Sequence, residues 1–207
     1  YHKMYLPFIL DSHDDSAIIN DYDFMKKEFM KCDLLLIKSG AEHIAGTMIS
    51  YSKKTPRLWF VGIKDSNKKY IHDGAIAATY YYGIKYLKEK GYGKMNIGLT
   101  RAFLKDGVLH YKKKWGLTVV DAVKYGFVMK PLTNSVAVKA LLRNNPFIAV
   151  DEKKRFNGTI FMNPGQSVNE TDFEKIYNDY HVHGISRLFI YLDGNDDGEM
   201  PPAVPSE

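Results

Sequence analysis

The sequence predicts an α/β fold of the α+β kind: a mostly antiparallel twisted sheet with a central βαβ crossover, followed by a C-terminal α/β appendage. Three observations carry this. First, Asp33 to Lys38, Glu42 to Tyr51 and Arg57 to Lys64 are strand-like runs joined by turn-like Ser39-Gly40 and Lys53 to Pro56, the mark of an antiparallel meander. Second, Asp73 to Lys90 changes to a helical period, with Ile76, Tyr80, Gly83, Ile84 and Leu87 on one face and Gly91 as the stop. Third, Lys94 to Leu99 is a short strand, and strand, helix, strand in that order means parallel pairing through a crossover.

The remaining elements fall around this frame. Tyr1 to Asp11 and Asp21 to Lys31 read as two short helices ahead of the meander, with Met4, Phe8, Phe24, Met25 and Phe29 at helical spacing. Asp106 to Trp115 is a further helix, and Leu117 to Ala122 with Lys124 to Lys130 are closing strands before Pro131. Beyond it come a helix from Ser135 to Arg143, strands at Phe147 to Val150 and Gly158 to Met162, a helix from Glu170 to Tyr180 and a strand from Arg187 to Leu192. The domain division this implies is 1–131, 132–192 and a disordered, acidic and proline-rich tail at 193–207.

Composition bounds the function classes. With 207 residues, 45% hydrophobic and 26% charged, the chain is long enough for a real core and is neither disordered nor fibrous. The formal charge of +5 is mild, and only five of the 29 basic residues are arginine, the planar fork favoured for phosphates and guanine edges. General nucleic-acid binding is therefore not expected, whereas an anionic small ligand is easily accommodated. The single Cys32 makes neither an internal disulfide nor a multi-cysteine zinc site, which points to a reducing, cytoplasmic setting. The longest uncharged stretch, Gly74 to Ile84, falls short of the roughly 20 apolar residues of a membrane span. Because the chain opens at Tyr1 rather than Met, an upstream segment is also expected.

One stretch carries a more specific signal. Asn96-Ile97-Gly98, Thr100-Arg101, Asp106-Gly107 and the run Tyr111-Lys112-Lys113-Lys114-Trp115-Gly116 resemble the Fem-like branch of the GNAT superfamily of N-acyltransferases. That branch carries an aspartate-x-glycine on the strand after the crossover helix, then an aromatic-Lys-x-x-aromatic-Gly motif. Tyr111, Lys112, Trp115 and Gly116 fill the second motif without a gap; Asn96 stands where the first has its acid. The resemblance covers roughly Asp33 to Pro131 and implies a GNAT-like sheet and transfer of an acyl group from acyl-CoA, such as acetyl-CoA, to an amine. Aminoacyl-tRNA is the donor in part of the family. The acceptor the resemblance implies is a small amine or a cell-envelope precursor. The pyrophosphate loop of most GNAT proteins is missing, since Asn67 to Ala75 reads NKKYIHDGA with one glycine.

The candidate site follows from the residues and this resemblance together. In GNAT folds the strand matching Phe60, Val61, Gly62 and Ile63 pairs with the pantetheine arm; on its own, Gly62 fits either a bulge open to a ligand or a packing glycine. The start of the crossover helix, with Asp73 as N-cap and Gly74 and Ala75 at its first turn, is an anion site helped by Lys68 and Lys69, or an ordinary capped end. By resemblance Lys112 stabilises charge at the reacting centre, the alternative being a solvated basic face of Lys112, Lys113 and Lys114 anchored by Trp115. His72, Asp106, His110 and Tyr111 flank the same strand ends and are candidates to move a proton; Asn96, Arg101 and Trp115 are candidates for substrate contact. Tyr80 reads as core, with Tyr81 and Tyr82 flanking it. His181-Val182-His183, placed at a helix end, does not converge two rings on a metal, so no metal is expected. Two other readings stay open: a non-catalytic module on the same framework, and one lobe of a two-lobed transferase.

Overall fold

The computed structural model describes residues 1–13, 19–51, 53–120, 128–163 and 169–192. It is a mixed α+β chain in two compact units, Tyr1–Gly98 and Leu99–Glu207. This division falls earlier than the Pro131 boundary read from the sequence. Its physical reason is burial: Leu104 and Leu109, at 2% and 1% exposure, share a core with Ile160, Val182, Ile185 and Leu188. The tail at 193–207 and the expected strand residues 121–127 lie outside the described residues.

The first unit opens with helices α1 (Tyr5–His13) and α2 (Tyr22–Phe29); Asp21 caps α2 by accepting from the Phe24 N–H at 2.7 Å. The expected meander follows as β1 (Cys32–Ser39), β2 (Glu42–Ser50) and β3 (Arg57–Ile63), all antiparallel in the order β1-β2-β3. The central strand is buried from Ile44 to Ser50 without alternation, so both its faces are covered. A short helix α3 (Lys68–His72) leads into α4 (Ala75–Glu89), which buries Ala75, Thr79, Tyr80, Gly83 and Leu87 at helical spacing. At Gly83 a Cβ would stand 2.7 Å from Leu58 Cδ1, so a larger residue there would make the Leu58 side chain turn aside.

The strand expected at Lys94 to Leu99 is reduced to one parallel bridge, Arg57 to Asn96, with Leu58 N–H donating to the Asn96 carbonyl at 2.8 Å. The cause is local. Asn96 Oδ1 accepts the Gly98 N–H at 2.8 Å and Gly98 turns to φ 81, so the chain leaves the ladder after a single residue.

The β2–β3 ladder also contains an irregularity. Gly46 pairs with Gly62 and Met48 with Trp59, so Phe60 and Val61 stand opposite Thr47 alone. This is a β-bulge, and Phe60 occupies it at φ 51, a left-handed conformation that costs a bulky residue. Thr47 Oγ1 donates to the Trp59 carbonyl at 3.0 Å.

In the second unit, Asp106 caps α5 (Gly107–Lys113) and Ser135 caps α6 (Val136–Asn144). Strands β4 (Phe147–Val150) and β5 (Phe156–Met162) pair antiparallel; α7 (Glu170–Tyr180) crosses over to β6 (Ile185–Leu192), which lies parallel to β5. The regular βαβ crossover is therefore here, in the part expected as an appendage. Asn169 and Asp172 start α7 with a reciprocal capping box. Residues expected as a closing strand contribute one parallel bridge, Thr118 to His183.

Gly62 yields a direct test of this packing. A Cβ there would stand 2.7 Å from both Met4 C and Tyr5 N, backbone atoms that cannot swing aside. Gly62→Ala is expected to destabilise the protein by about 1–3 kcal/mol, read as a lower denaturation midpoint at unchanged m-value.

Candidate functional site

The residues proposed for the site divide between the two units. Phe60 to Ile63, Lys69, His72, Gly74, Ala75 and Asn96 belong to the first; Arg101, Asp106, Tyr111, Lys112 and Trp115 belong to the second.

In the first unit the bulge lies at Phe60 and Val61, one step before Gly62. Gly62 itself is a packing glycine, since the backbone that approaches it belongs to Met4 and Tyr5. The bulge gathers an aromatic cluster: Phe60 stacks on Trp59 at 4.0 Å, Tyr5 meets Phe60 edge-on at 5.3 Å, and Phe24 meets Trp59 edge-on at 5.9 Å. Arg57 lies over the Trp59 ring at 5.3 Å. Ile63, fully buried, shares a core cluster with Ala75, so the end of the bulged strand packs against the first turn of α4.

That first turn is built differently from the expectation. Asp73 is not the N-cap of α4: its N–H donates back to Ile71 and Lys69 carbonyls, closing α3, and its φ and ψ of −72° and 1° are not the extended backbone a cap requires. Gly74 is the N-cap, at φ 92, where glycine is favoured, and it has no side chain with which to cap the first N–H groups. Lys69 is exposed, and its N–H is taken by Asn67 Oδ1 at 2.9 Å. His72 projects into water at 92% side-chain exposure, with Nδ1 3.7 Å from Asp73 Oδ1. Asn96 is exposed, its amide oxygen occupied by Gly98.

In the second unit the three lysines of the motif have three fates. Lys112 is buried, at 4% exposure, and its ammonium donates to the Leu99 carbonyl at 2.8 Å. Lys113 donates to the carbonyls of Asn178 and Asp179 at the C-terminal end of α7, where a cation is favoured. Lys114 is exposed. The solvated basic face therefore does not include Lys112. Tyr111 on α5 and Trp115 in the turn just after it have ring centroids 6.4 Å apart, and burial pushes the Tyr111 phenol above its ordinary pKa. Asp106 spends a carboxylate oxygen on the Leu109 N–H at 2.8 Å; Arg101 and His110 are exposed. Tyr80 is core at 7% exposure, and Tyr81 and Tyr82 are exposed at 56% and 48%.

One polar centre was not visible in the sequence. Asp33 Oδ2 accepts from Tyr51 at 2.7 Å, Tyr86 at 2.6 Å and Lys90 at 2.7 Å, joining β1, the end of β2 and α4. Lys90 also lies over the rings of Tyr51 and Tyr86, at 5.1 and 4.8 Å. These partners are up to 57 residues apart, and no spacing rule links them. The Lys90 ammonium, then the Tyr86 and Tyr51 hydroxyls, hold the Asp33 carboxyl down to about 2. Burial, seconded by the Asp33 carboxylate, raises the Tyr51 phenol.

The sign of the linkage follows. The folded pKa of Asp33 lies below the unfolded value of about 3.9, so its contribution is complete above pH ~4 and is lost as pH falls toward 2. Asp33→Asn is expected to flatten the acid side of the stability curve over that window, measured by urea unfolding at successive pH values. Asp151, held to about 2 by the Arg155 N–H and guanidinium and by Asn157, and Glu42, lowered by Lys64 and Tyr70, retain slope in that variant.

No protein-family model matches this chain, and no curated protein matches it.

Proposed function

We propose that the chain is an N-acyltransferase of the GNAT type, near the Fem-like branch, moving an acyl group from acyl-CoA or another activated donor to an amine. The observation that carries the reading is Lys112: the motif lysine is almost fully buried and its ammonium is fixed on the Leu99 carbonyl. A buried ammonium flanked by an aromatic pair acts more strongly on developing negative charge than a solvated one. The meander, the crossover helix α4 and the parallel bridge at Asn96 supply supporting order, as do the β3 bulge and the first turn of α4 beside it.

In this reading the amine nitrogen attacks the acyl carbonyl carbon, a C–N bond forms, and negative charge collects on the carbonyl oxygen. Lys112 stabilises that charge. The donor's C–S bond then breaks, the thiolate departs, and the amine proton passes outward through Tyr111, with Asp106 holding the start of α5. Arg101 and Trp115 contact the acceptor, a small amine or an amine-bearing cell-envelope precursor. An aminoacyl-tRNA donor fits the same steps with a C–O bond broken in place of C–S.

Two measurements test this. Thermal unfolding with a panel of acyl-CoAs is expected to show a saturable rise, about 2.7 kcal/mol at 100 times the dissociation constant. Lys112→Met keeps the apolar stem and is expected to lower turnover by roughly 10²–10³-fold while the fold persists by circular dichroism. Full turnover in a folded Lys112→Met variant would remove the charge role, and no shift with any acyl-CoA would remove CoA as donor.

A further inference from the structure

A cavity of about 220 Å³ lies in the second unit, away from the residues assigned above, lined in part by Lys113, Leu117, Tyr177, Asn178, His181 and His183. The two histidines are separated by one residue. Had they continued the helix, their rings would diverge. The chain instead leaves α7 at His181, which has φ −69 and ψ 134, and His183 bridges to Thr118. In extended backbone residues i and i+2 face the same side. Val182, at 4% exposure, packs into the core, and both imidazoles line the cavity with centroids 6.2 Å apart.

That separation is within about 1 Å of what one shared ion needs. With metal to nitrogen distances near 2.0–2.1 Å, a metal stands about 3.2 Å from each ring centroid, so a tetrahedral ion holds two imidazole centroids roughly 5.2 Å apart, and a swing of the exposed His183 ring by about 1 Å closes the pair. The His181 ring is also held in place. It lies flat on Tyr177 at 4.4 Å and 11°, and it is hydrogen-bonded to the Ile185 backbone, the kind of outer-shell contact that orients a metal-binding imidazole. The C-terminal carbonyls of α7 turn the negative end of an 11-residue helix toward the same place. The opposing charge is Lys113, whose ammonium is bonded to two of those carbonyls.

We infer that His181 and His183 form a two-imidazole site for a divalent transition-metal ion of the zinc, nickel or copper class, with water or an anionic oxygen ligand in the remaining positions. Imidazole pairs select such ions over magnesium and calcium, which prefer oxygen. The site is independent of the acyltransfer reading and stands or falls separately from it.

The test is calorimetric titration of the whole chain with Zn²⁺ alone, with histidine ring NMR resonances as the second readout. One equivalent is expected to bind with a dissociation constant of roughly 1–100 µM, the strength that two protein ligands retain in place of four. Binding should weaken at least tenfold in His181→Gln and in His183→Gln, and stay unchanged in His43→Gln. His183 is exposed, so its replacement leaves the fold intact. Lys113→Gln is expected to tighten binding about threefold or more by removing the facing charge. Absence of a one-to-one event up to 1 mM Zn²⁺ would overturn the inference, as would binding that survives both histidine variants or ignores Lys113→Gln.

Discussion

In the first unit most of the arrangement depends on one extra residue in β3. With Phe60 and Val61 opposite Thr47 alone, the strand cannot continue as a flat ladder. Phe60 is driven to φ 51, and Thr47 Oγ1 bonds the Trp59 carbonyl beside the irregularity. The consequences spread outward from there. The aromatic rings of Trp59 and Phe60 come together and are met by Tyr5 and Phe24 from the two N-terminal helices. Just past the bulge, Gly62 admits the backbone of Met4 and Tyr5 and Ile63 reaches the first turn of α4. A strained non-glycine residue persists only where its surroundings over-determine it, and here a side-chain hydrogen bond and an aromatic cluster do so.

The other fastening of this unit is electrostatic. Asp33 gathers three donors on one oxygen and ties α4 to β1 and to the end of β2. Its partners lie far apart in sequence, so the fastening exists only once the meander and the helix have met. The apolar face of α4 sets that meeting first, through Leu87, Tyr80 and the small Gly83. Burial supplies the larger energy and the charged centre fixes the register of helix on sheet.

The second unit illustrates how neighbouring residues of one type acquire different chemistry. Lys112, Lys113 and Lys114 are successive in sequence, yet one is buried on a carbonyl, one caps a distant helix and one is solvated. Helical rotation of about 100° per residue turns the three stems to different sides of α5. What each meets there is decided by other parts of the unit: the Leu99 segment, the end of α7, and water. The proposed acyltransfer role belongs to the first of these, and the Zn-class site lies near the second.

How much was legible beforehand divides along the same line. The meander, the crossover helix, the helices starting at Asp106, Ser135 and Glu170, and the strands at Phe147, Gly158 and Arg187 could be read because caps, turns and apolar period are local. The run Tyr111 to Gly116 stood out as a pattern of residue types, but the burial of its Lys112 did not. Other features needed partners that no local window contains. Gly74 rather than Asp73 caps α4 because α3 ends immediately before it. The strand at Asn96 stops after one bridge because a side chain bonds two residues ahead. His181 and His183 face one cavity because the helix has already ended. The sequence by itself determined the kind and order of elements, since these arise from torsional preference and periodic burial within a few residues. The placement of Lys112 on the Leu99 carbonyl, the bulge against Thr47 and the charges gathered on Asp33 were decided by the tertiary structure, because contacts between distant segments acquire their energy only when packing has removed water from between them.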